Sequence, residues 1–407
     1  MIYFTHQELA ATYHVSVKTV RNWIESAKEG KLVLALHETN GRSYISNTAS
    51  NIAQIEQLAE KGKKYRPHRA VKVVTPRVEF YNLYNQAQIY DIIMNLDIHK
   101  EIPRQYNYFD KGADYWDDYV QRLSAEKMTN TLTSTIHLLE INQTYLDDLL
   151  KEYDRINIID IGPGNALPVR KLLEHYMAQG KLGKYIGLDI SQQMLHIAGS
   201  NIKRWFADKV DVELHQIDIT FERFTNLVAE MELRKTDKKE VNVVLFFGAT
   251  AGNLKEPYGA LKTIHDSMAR NDVLLQAQKL DSKNARRYFD FNLKTGNVDL
   301  APNHRFIFDL LNIDKSYYDV EMGFDEVLRE RYIRVRFKLT VTINFVFASA
   351  EKTIEVNKDD TILLWRSRHY TDLEFLQLLD SCDFHTLHAS QTDDWEYILT
   401  AAQIKRS

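Results

Sequence analysis

Two glycines and three acids carry the first chemistry in this chain. Asn157 to Asn165 reads Asn-Ile-Ile-Asp-Ile-Gly-Pro-Gly-Asn, so the β-branched run Ile156 to Ile161 leads into a turn that opens on Asp160 and contains Gly162 and Gly164. Glycine at these positions lets backbone approach a ligand with no Cβ in the way. A dinucleotide-binding turn would place a third glycine three residues after the second, to pack helix on strand over a pyrophosphate, and that position is Leu167. A ligand without phosphate that carries a cation suits Asp160 better, and S-adenosylmethionine (SAM), a nucleoside sulfonium, meets both conditions. Two further acids close apolar runs. Asp189 follows Tyr185 to Leu188, where a carboxylate can hold both ribose hydroxyls, and Asp218 follows Val212 to Ile217, where its side chain or the neighbouring amide at Ile219 can read an adenine edge. An acid after a strand is often only a cap or turn former. Three at successive strand ends would converge outside the carboxyl ends of a parallel sheet, where ligands of such sheets bind.

The elements that must position these residues follow from periodicity. Leu167 to Tyr176 has helical spacing and Val241 to Phe247 reads as a fourth buried strand, giving a Rossmann-like α/β core from Arg155 to about Leu280. Asp372 to Cys382 predicts an amphipathic helix and Trp395 to Ala401 a closing strand. Phe80 to Leu96 opens an aromatic-rich helical region that continues to Leu150. Arg329 to Ala348 alternates, with Val335, Phe337, Leu339, Val341, Ile343, Phe345 and Phe347 on one face, and predicts one long strand that Thr361 to Leu364 can pair with. The expected organisation is a small domain over 1–72, a helical substrate-capping region over 73–150, the α/β core over 151–282 and 365–405, and an inserted substrate-binding region over 283–364.

At 407 residues the chain has room for two or three domains. Its net charge of −4 hides an asymmetry: residues 1–72 hold 11 Lys and Arg against 6 Asp and Glu, leaving 41 against 50 for the rest. The single cysteine, Cys382, excludes an intramolecular disulfide and a cysteine zinc site, and the 14 histidines show no metal-ligand spacing, so no metal is expected. The N-terminus has no signal-peptide pattern and no run reaches membrane-spanning length, which predicts a cytoplasmic protein. Within the basic stretch, Thr5 to Glu8 spells a capping box for a helix to Tyr13, and Ser16 can cap a second from Val17 to about Ala27. Leu32 to His37, Asn40-Gly41 and Arg42 to Ile45 read as a hairpin, Ile52 to Lys64 as a third helix, and the run from Lys61 as a basic linker. The arrangement resembles a MerR-like winged helix-turn-helix module. Lys18, Thr19, Arg21, Asn22 and Arg42 are then candidates for DNA, and docking of a protein partner or dimerisation is the alternative use.

Phe246 to Leu254, Phe-Phe-Gly-Ala-Thr-Ala-Gly-Asn-Leu, is similar to the Phe-Leu-Gly-Ser-Thr-Ile-Gly-Asn motif of the histidine-specific SAM-dependent methyltransferases of ergothioneine biosynthesis. Tyr108 to Asp117 resembles a second segment of that family, allowing a one-residue slip, and the likeness runs from about residue 105 to the end. It implies a class I methyltransferase fold, SAM as cofactor and an amino-acid substrate. By the same resemblance Asn253 holds the substrate carboxylate and Tyr108 lines the amino-acid site, from which it can take the proton of the amine. Phe289 or Tyr288 matches the family's carboxylate-binding tyrosine. The family's Glu-x-Ser pair that grips the imidazole falls on Trp365 and Ser367, so only the serine remains, and the tyrosine-bearing block expected after Leu123 is replaced by Ser-Ala-Glu-Lys-Met-Thr-Asn-Thr. An indole cannot stand in for a carboxylate that anchors a ring N–H. The expected acceptor is therefore an amino group of an amino acid or related small molecule other than free histidine. The rival reading is a transcription regulator that senses SAM or an amino acid.

Overall fold

Thr5 and Glu8 satisfy each other as their spacing predicts: in the computed structural model Thr5 Oγ1 accepts the Glu8 amide at 3.2 Å and a Glu8 carboxylate oxygen accepts the Thr5 amide at 2.8 Å. The structure describes residues 3–65, 71–125, 130–233, 237–248, 250–282, 294–296, 299–347 and 350–405. They divide into two units, Met1–Val71 and Lys72–Ser407.

In the first unit the helices His6–Thr12 and Val17–Lys28 are joined by a short turn in which His14 takes a left-handed conformation, and Ser16 caps the second helix by accepting the Thr19 amide. Strands β1 (Tyr3–Phe4), β2 (Leu36–Thr39) and β3 (Arg42–Ser46) form an antiparallel sheet in the order β1-β3-β2. Asn40 and Gly41 both have positive φ, 51° and 69°, as a two-residue hairpin turn requires. Buried Asn51 ties the helix Ala49–Tyr65 to this sheet, giving its amide hydrogens to Ala35 and Ser46 carbonyls and accepting the Ala35 amide. This third helix runs to Tyr65, one residue past the expected Lys64, and residues 66–70 of the basic run that reads as a linker lie outside the described residues.

In the larger unit a short strand, β4 (Val71–Val74), precedes the α/β core. Strands β5 (Arg155–Ile161), β6 (Leu182–Asp189), β7 (Asp211–Gln216), β8 (Glu240–Phe246) and β9 (Val273–Lys279) are mutually parallel. After them come β10 (Lys294–Gly296), β11 (Tyr318–Asp325), β12 (Glu330–Phe337), β13 (Thr340–Phe347), β14 (Ala350–Val356) and β15 (Thr361–Arg368), then β16 (Phe384–Gln391) and β17 (Tyr397–Ile404). The central sheet has the order β16-β17-β9-β8-β5-β6-β7, with β17 antiparallel to β9. The chain moves outward from β5 through β6 and β7 and then returns to the other side of β5 as β8. That reversal opens a crevice at the carboxyl ends. Strand β5 reads as a nearly continuous apolar run because both its faces are covered: Ile156 and Ile158 join one core, Ile159 and Ile161 the other.

The expected long strand over 329–348 is two strands, broken at Lys338 and Leu339. Opposite the break Asn357 to Asp360 make a tight turn, with Asp359 at φ 72° and the Asp360 carboxylate accepting the Asn357 amide at 2.9 Å. The extra residues end the β12–β15 ladder and begin the β13–β14 ladder, so β12 lies in the sheet β10-β11-β12-β15 and β13 in the sheet β14-β13-β4. Both contribute to a third core, which also takes Phe80, Ile92, Leu96 and Tyr106 from the preceding helical stretch. Strand β16 has no sequence expectation, because as a half-exposed edge strand its polar residues hide the alternation.

On the outward side of β15, Arg366 pairs with Glu101 at 2.5 Å and stands 3.7 Å from Glu330, all three largely buried. Removing one partner of such a cluster leaves an uncompensated buried charge. Arg366→Ala is expected to cost about 3–5 kcal/mol in equilibrium denaturation of the larger unit, whereas the paired replacement Glu101→Leu with Arg366→Met should recover most of that loss.

Candidate active site

The carboxyl ends of β5, β6 and β7 open into one cavity of about 410 Å³, which brings Asp160, Gly162, Gly164, Asp189, Asp218 and Ile219 together. Asp160 accepts the Tyr185 hydroxyl at 2.9 Å, and burial pushes its pKa up to about 7 against the opposing effect of that hydrogen bond. Asp189 accepts the Ser191 amide at 2.8 Å. It is half-buried and lines the cavity, and burial pushes its pKa up to about 7 as well. Asp218 accepts both the amide and the hydroxyl of Thr220, at 3.0 and 2.6 Å, and burial raises its pKa. The turn after β5 holds Gly162 and Gly164 at φ 64° and 58°. A Cβ on Gly164 would lie 2.3 Å from the Trp116 ring, while one on Gly162 would meet no atom within 4 Å and would occupy the cavity itself.

Beyond β8 the glycine-rich stretch forms the short helix Thr250–Asn253. A Cβ on Gly252 would stand 2.7 Å from both the Arg368 carbonyl oxygen and the Gln278 amide nitrogen, so glycine is what allows this loop to press against β15 and β9. The loop presents Asn253 to the cavity with its Oδ1 enclosed and without a hydrogen-bonding partner among the described residues. An enclosed amide in this state suits a polar ligand, since leaving it unmatched costs stability.

Trp365 and Ser367 reach the same cavity because the β12–β15 ladder slips at Ile333/Arg334. Ile333 pairs with Trp365 and Arg334 with Leu363, leaving Leu364 as a bulge. Tyr108 closes the opposite wall. Its carbonyl accepts the Ser191 hydroxyl at 2.5 Å, its phenol oxygen accepts Arg104 Nε at 2.6 Å, and its ring meets Trp116 edge-on. Phe289 and Tyr288 lie outside the described residues.

The sequence reading passed over the basic side of the cavity, formed by Arg104, Lys279, His304 and Arg331. Arg104 Nη1 lies 2.9 Å from His304 Nδ1, and the Arg104 and Arg331 guanidinium carbons stand 6.0 and 5.5 Å from the centre of the Trp365 ring system. Burial, helped by these two cations, holds His304 well below the usual histidine range, so its ring is neutral. Burial brings Lys279 down to about 8. None of the four carries a motif, and they come from four separate elements. In the N-terminal unit Lys18, Arg21, Asn22 and Arg42 are exposed, whereas Thr19 is half-buried with its hydroxyl 2.8 Å from Ser16, where it completes the helix cap.

These donors and acceptors fit SAM: hydroxyl acceptors at the ends of β6 and β7, an acid beside the glycine turn and no basic cradle for a pyrophosphate at that turn. Among solved structures, an S-adenosylmethionine-dependent methyltransferase from Clostridium acetobutylicum ATCC 824 is 12% identical, covering 79% of this chain and all of its own, with a TM-score of 0.37. Magnesium protoporphyrin IX methyltransferase from Synechocystis PCC 6803, with bound S-adenosylhomocysteine, is 10% identical over 74% of this chain and 98% of its own, with a TM-score of 0.39. A glycopeptide N-methyltransferase complexed with SAM is 10% identical over 65% and 87%, with a TM-score of 0.33. No curated protein matches the chain. The model of one family, the SAM-dependent histidine-specific methyltransferases, matches residues 88–404, a span that holds every residue of the cavity just described, and the chain belongs to that family.

Proposed function

We propose that this SAM-dependent methyltransferase methylates an amino group of an amino acid or related small molecule other than free histidine. The observation that carries the reading is the enclosed, unmatched Asn253 amide, which shares a cavity with the three acids at the strand ends. Bound SAM supplies an electrophilic methyl on a good leaving group. What the chain must add is orientation and exclusion of water. Asp189 holds the ribose hydroxyls, Asp218 and the Ile219 amide meet the adenine, and Gly162 and Gly164 let the backbone lie against the nucleoside. Asn253 takes the acceptor's carboxylate through Nδ2 while its unmatched Oδ1 accepts an N–H of the amine, and Tyr108, fixed by Arg104 and by its carbonyl bond to Ser191, orients the amine and takes its proton directly or through a water. Trp365 replaces a carboxylate at the position that would hold an imidazole N–H, which disfavours histidine.

We also infer that the N-terminal unit is a winged helix-turn-helix module that contacts DNA, supported by exposed Lys18, Arg21 and Asn22 at the start of one helix and by Arg42 in the hairpin. The full chain should bind duplex DNA with a steep salt dependence, and replacing Lys18 and Arg21 by Ala should reduce the logarithmic salt slope by about one per lost phosphate contact. Fluorescence anisotropy reads this; binding that ignores salt and both substitutions would favour a protein-docking module.

For the cofactor site, Asp189→Ala is expected to weaken SAM binding by about 1.5–3 kcal/mol in calorimetry, the range for charge-assisted hydrogen bonds. An unaffected variant would remove Asp189 from the site.

A pH dependence follows from the raised carboxyls. Asp160 and Asp189 keep their protons to about pH 7 in the folded, ligand-free protein against an ordinary value of 3.8, so the folded state binds more protons between these limits and loses stability as pH rises through that window. Hydroxyl donors and a sulfonium favour the ionised carboxylates. SAM affinity should therefore rise between pH 6 and 8, by up to about tenfold per pH unit for each proton released. A flat calorimetric profile over this range would contradict the assignment.

A further inference from the structure

Resting on the reading that this cavity takes SAM and an amine together, we propose that the amine carries a second anionic group besides the carboxylate taken by Asn253, a side-chain carboxylate or phosphate, that docks on Arg104. The acids lining the described cavity are Asp160, Asp189 and Asp218, all at the ends of β5 to β7, while Arg104 stands on the wall formed with β12 and β15. Among the described residues every polar or ring partner of Arg104 is uncharged: Nε donates to the Tyr108 phenol, Nη1 lies against the neutral His304 ring, and the guanidinium faces the Tyr108 and Trp365 rings. Nη2 has no hydrogen-bonding partner among them and keeps its donors for a ligand. A planar guanidinium held by three aromatic groups loses little freedom on binding, and its donor geometry matches an oxyanion rather than an ammonium or an imidazolium. Arg331, on the other side of the same indole, adds to the positive potential.

Calorimetry on the full chain saturated with S-adenosylhomocysteine tests this, using amines paired with a neutral or truncated counterpart: glutamate with glutamine, O-phosphoserine with serine, histidine with histamine. The first two pairs report a side-chain carboxylate and a side-chain phosphate, so the one that separates identifies the source, and the third reports the α-carboxylate assigned to Asn253 and serves as the comparison. In at least one of the first two pairs the anionic member should bind more tightly, and Arg104→Gln should erase that preference, by about ten- to a hundredfold, while S-adenosylhomocysteine still binds and reports a folded site. Arg104→Lys should keep part of it. Equal binding within both of the first two pairs, or a preference there that survives Arg104→Gln, overturns the proposal. Loss of S-adenosylhomocysteine from Arg104→Gln also overturns it, because the guanidinium would then serve the cofactor's own carboxylate. If the wild-type chain fails to bind S-adenosylhomocysteine, the cofactor reading falls and takes this proposal with it.

Discussion

The one-residue slip at Leu364 is the constraint on which the substrate side of the cavity depends. Strict alternation along β15 would keep even-numbered residues on the inner face, and Ile362 and Leu364 obey it, both fully buried. Continued past Leu364, the same alternation would turn Trp365 and Ser367 outward and bring Arg366 in. The bulge resets the phase, so that Leu364 fills the core and Trp365 and Ser367 line the cavity beside Arg331 and Ile333. The reset also puts the Arg366 guanidinium on the outer face, where Glu101 and Glu330 take it up. A change that straightened this strand would lose the indole wall and the ion cluster together.

The cavity that results is electrically divided. Three carboxyl groups sit at the end of the parallel sheet, where burial makes them reluctant to ionise, and guanidinium groups sit on the antiparallel wall, where burial likewise disfavours the charge on Arg331. Neither set neutralises the other in a salt bridge among the described residues. Tyr108 stands between them, its carbonyl bonded to the helix start after Asp189 and its phenol bonded to Arg104. A methyl transfer that needs little acid–base machinery still needs a donor and an acceptor held at fixed orientation, and a cavity with charge of opposite sign at its two sides sorts two ligands of different charge before any close contact forms.

That Asp160, Asp189 and Asp218 converge on one cavity was legible because it depends on local rules. The strand run before Gly162, the acids after the next two runs and the glycines of the turn lie within 62 residues of one another, and period, composition and strand-end logic were enough. The Thr5–Glu8 capping box, the Ser16 cap and the Asn40-Gly41 turn were legible for the same reason. The substrate half was not, since it is made by register. Arg104, His304 and Arg331 are far apart in sequence and meet only through helix and sheet packing. The alternation that suggested one strand over 329–348 continues in phase across the break, so hydrophobicity alone could not reveal that the chain changes sheets at Lys338. Gly252, which reads as part of a ligand loop, turns out to have a packing reason that presents its neighbour Asn253.

The third core joins residues 74–109 to residues 300–364. Phe80, Ile92 and Tyr106 therefore emerge from the ribosome about 210 to 240 residues before the strands that cover them, a delay of roughly 10 to 50 seconds at ordinary elongation rates. Throughout that interval an aromatic-rich stretch has no native partner, while the parallel core between the two segments is complete much earlier. Newborn chains of this protein are thus expected to pass through the last third of their synthesis with the five parallel strands made but β16 and β17 still missing and the antiparallel wall unfinished, the state in which chaperones would recognise them.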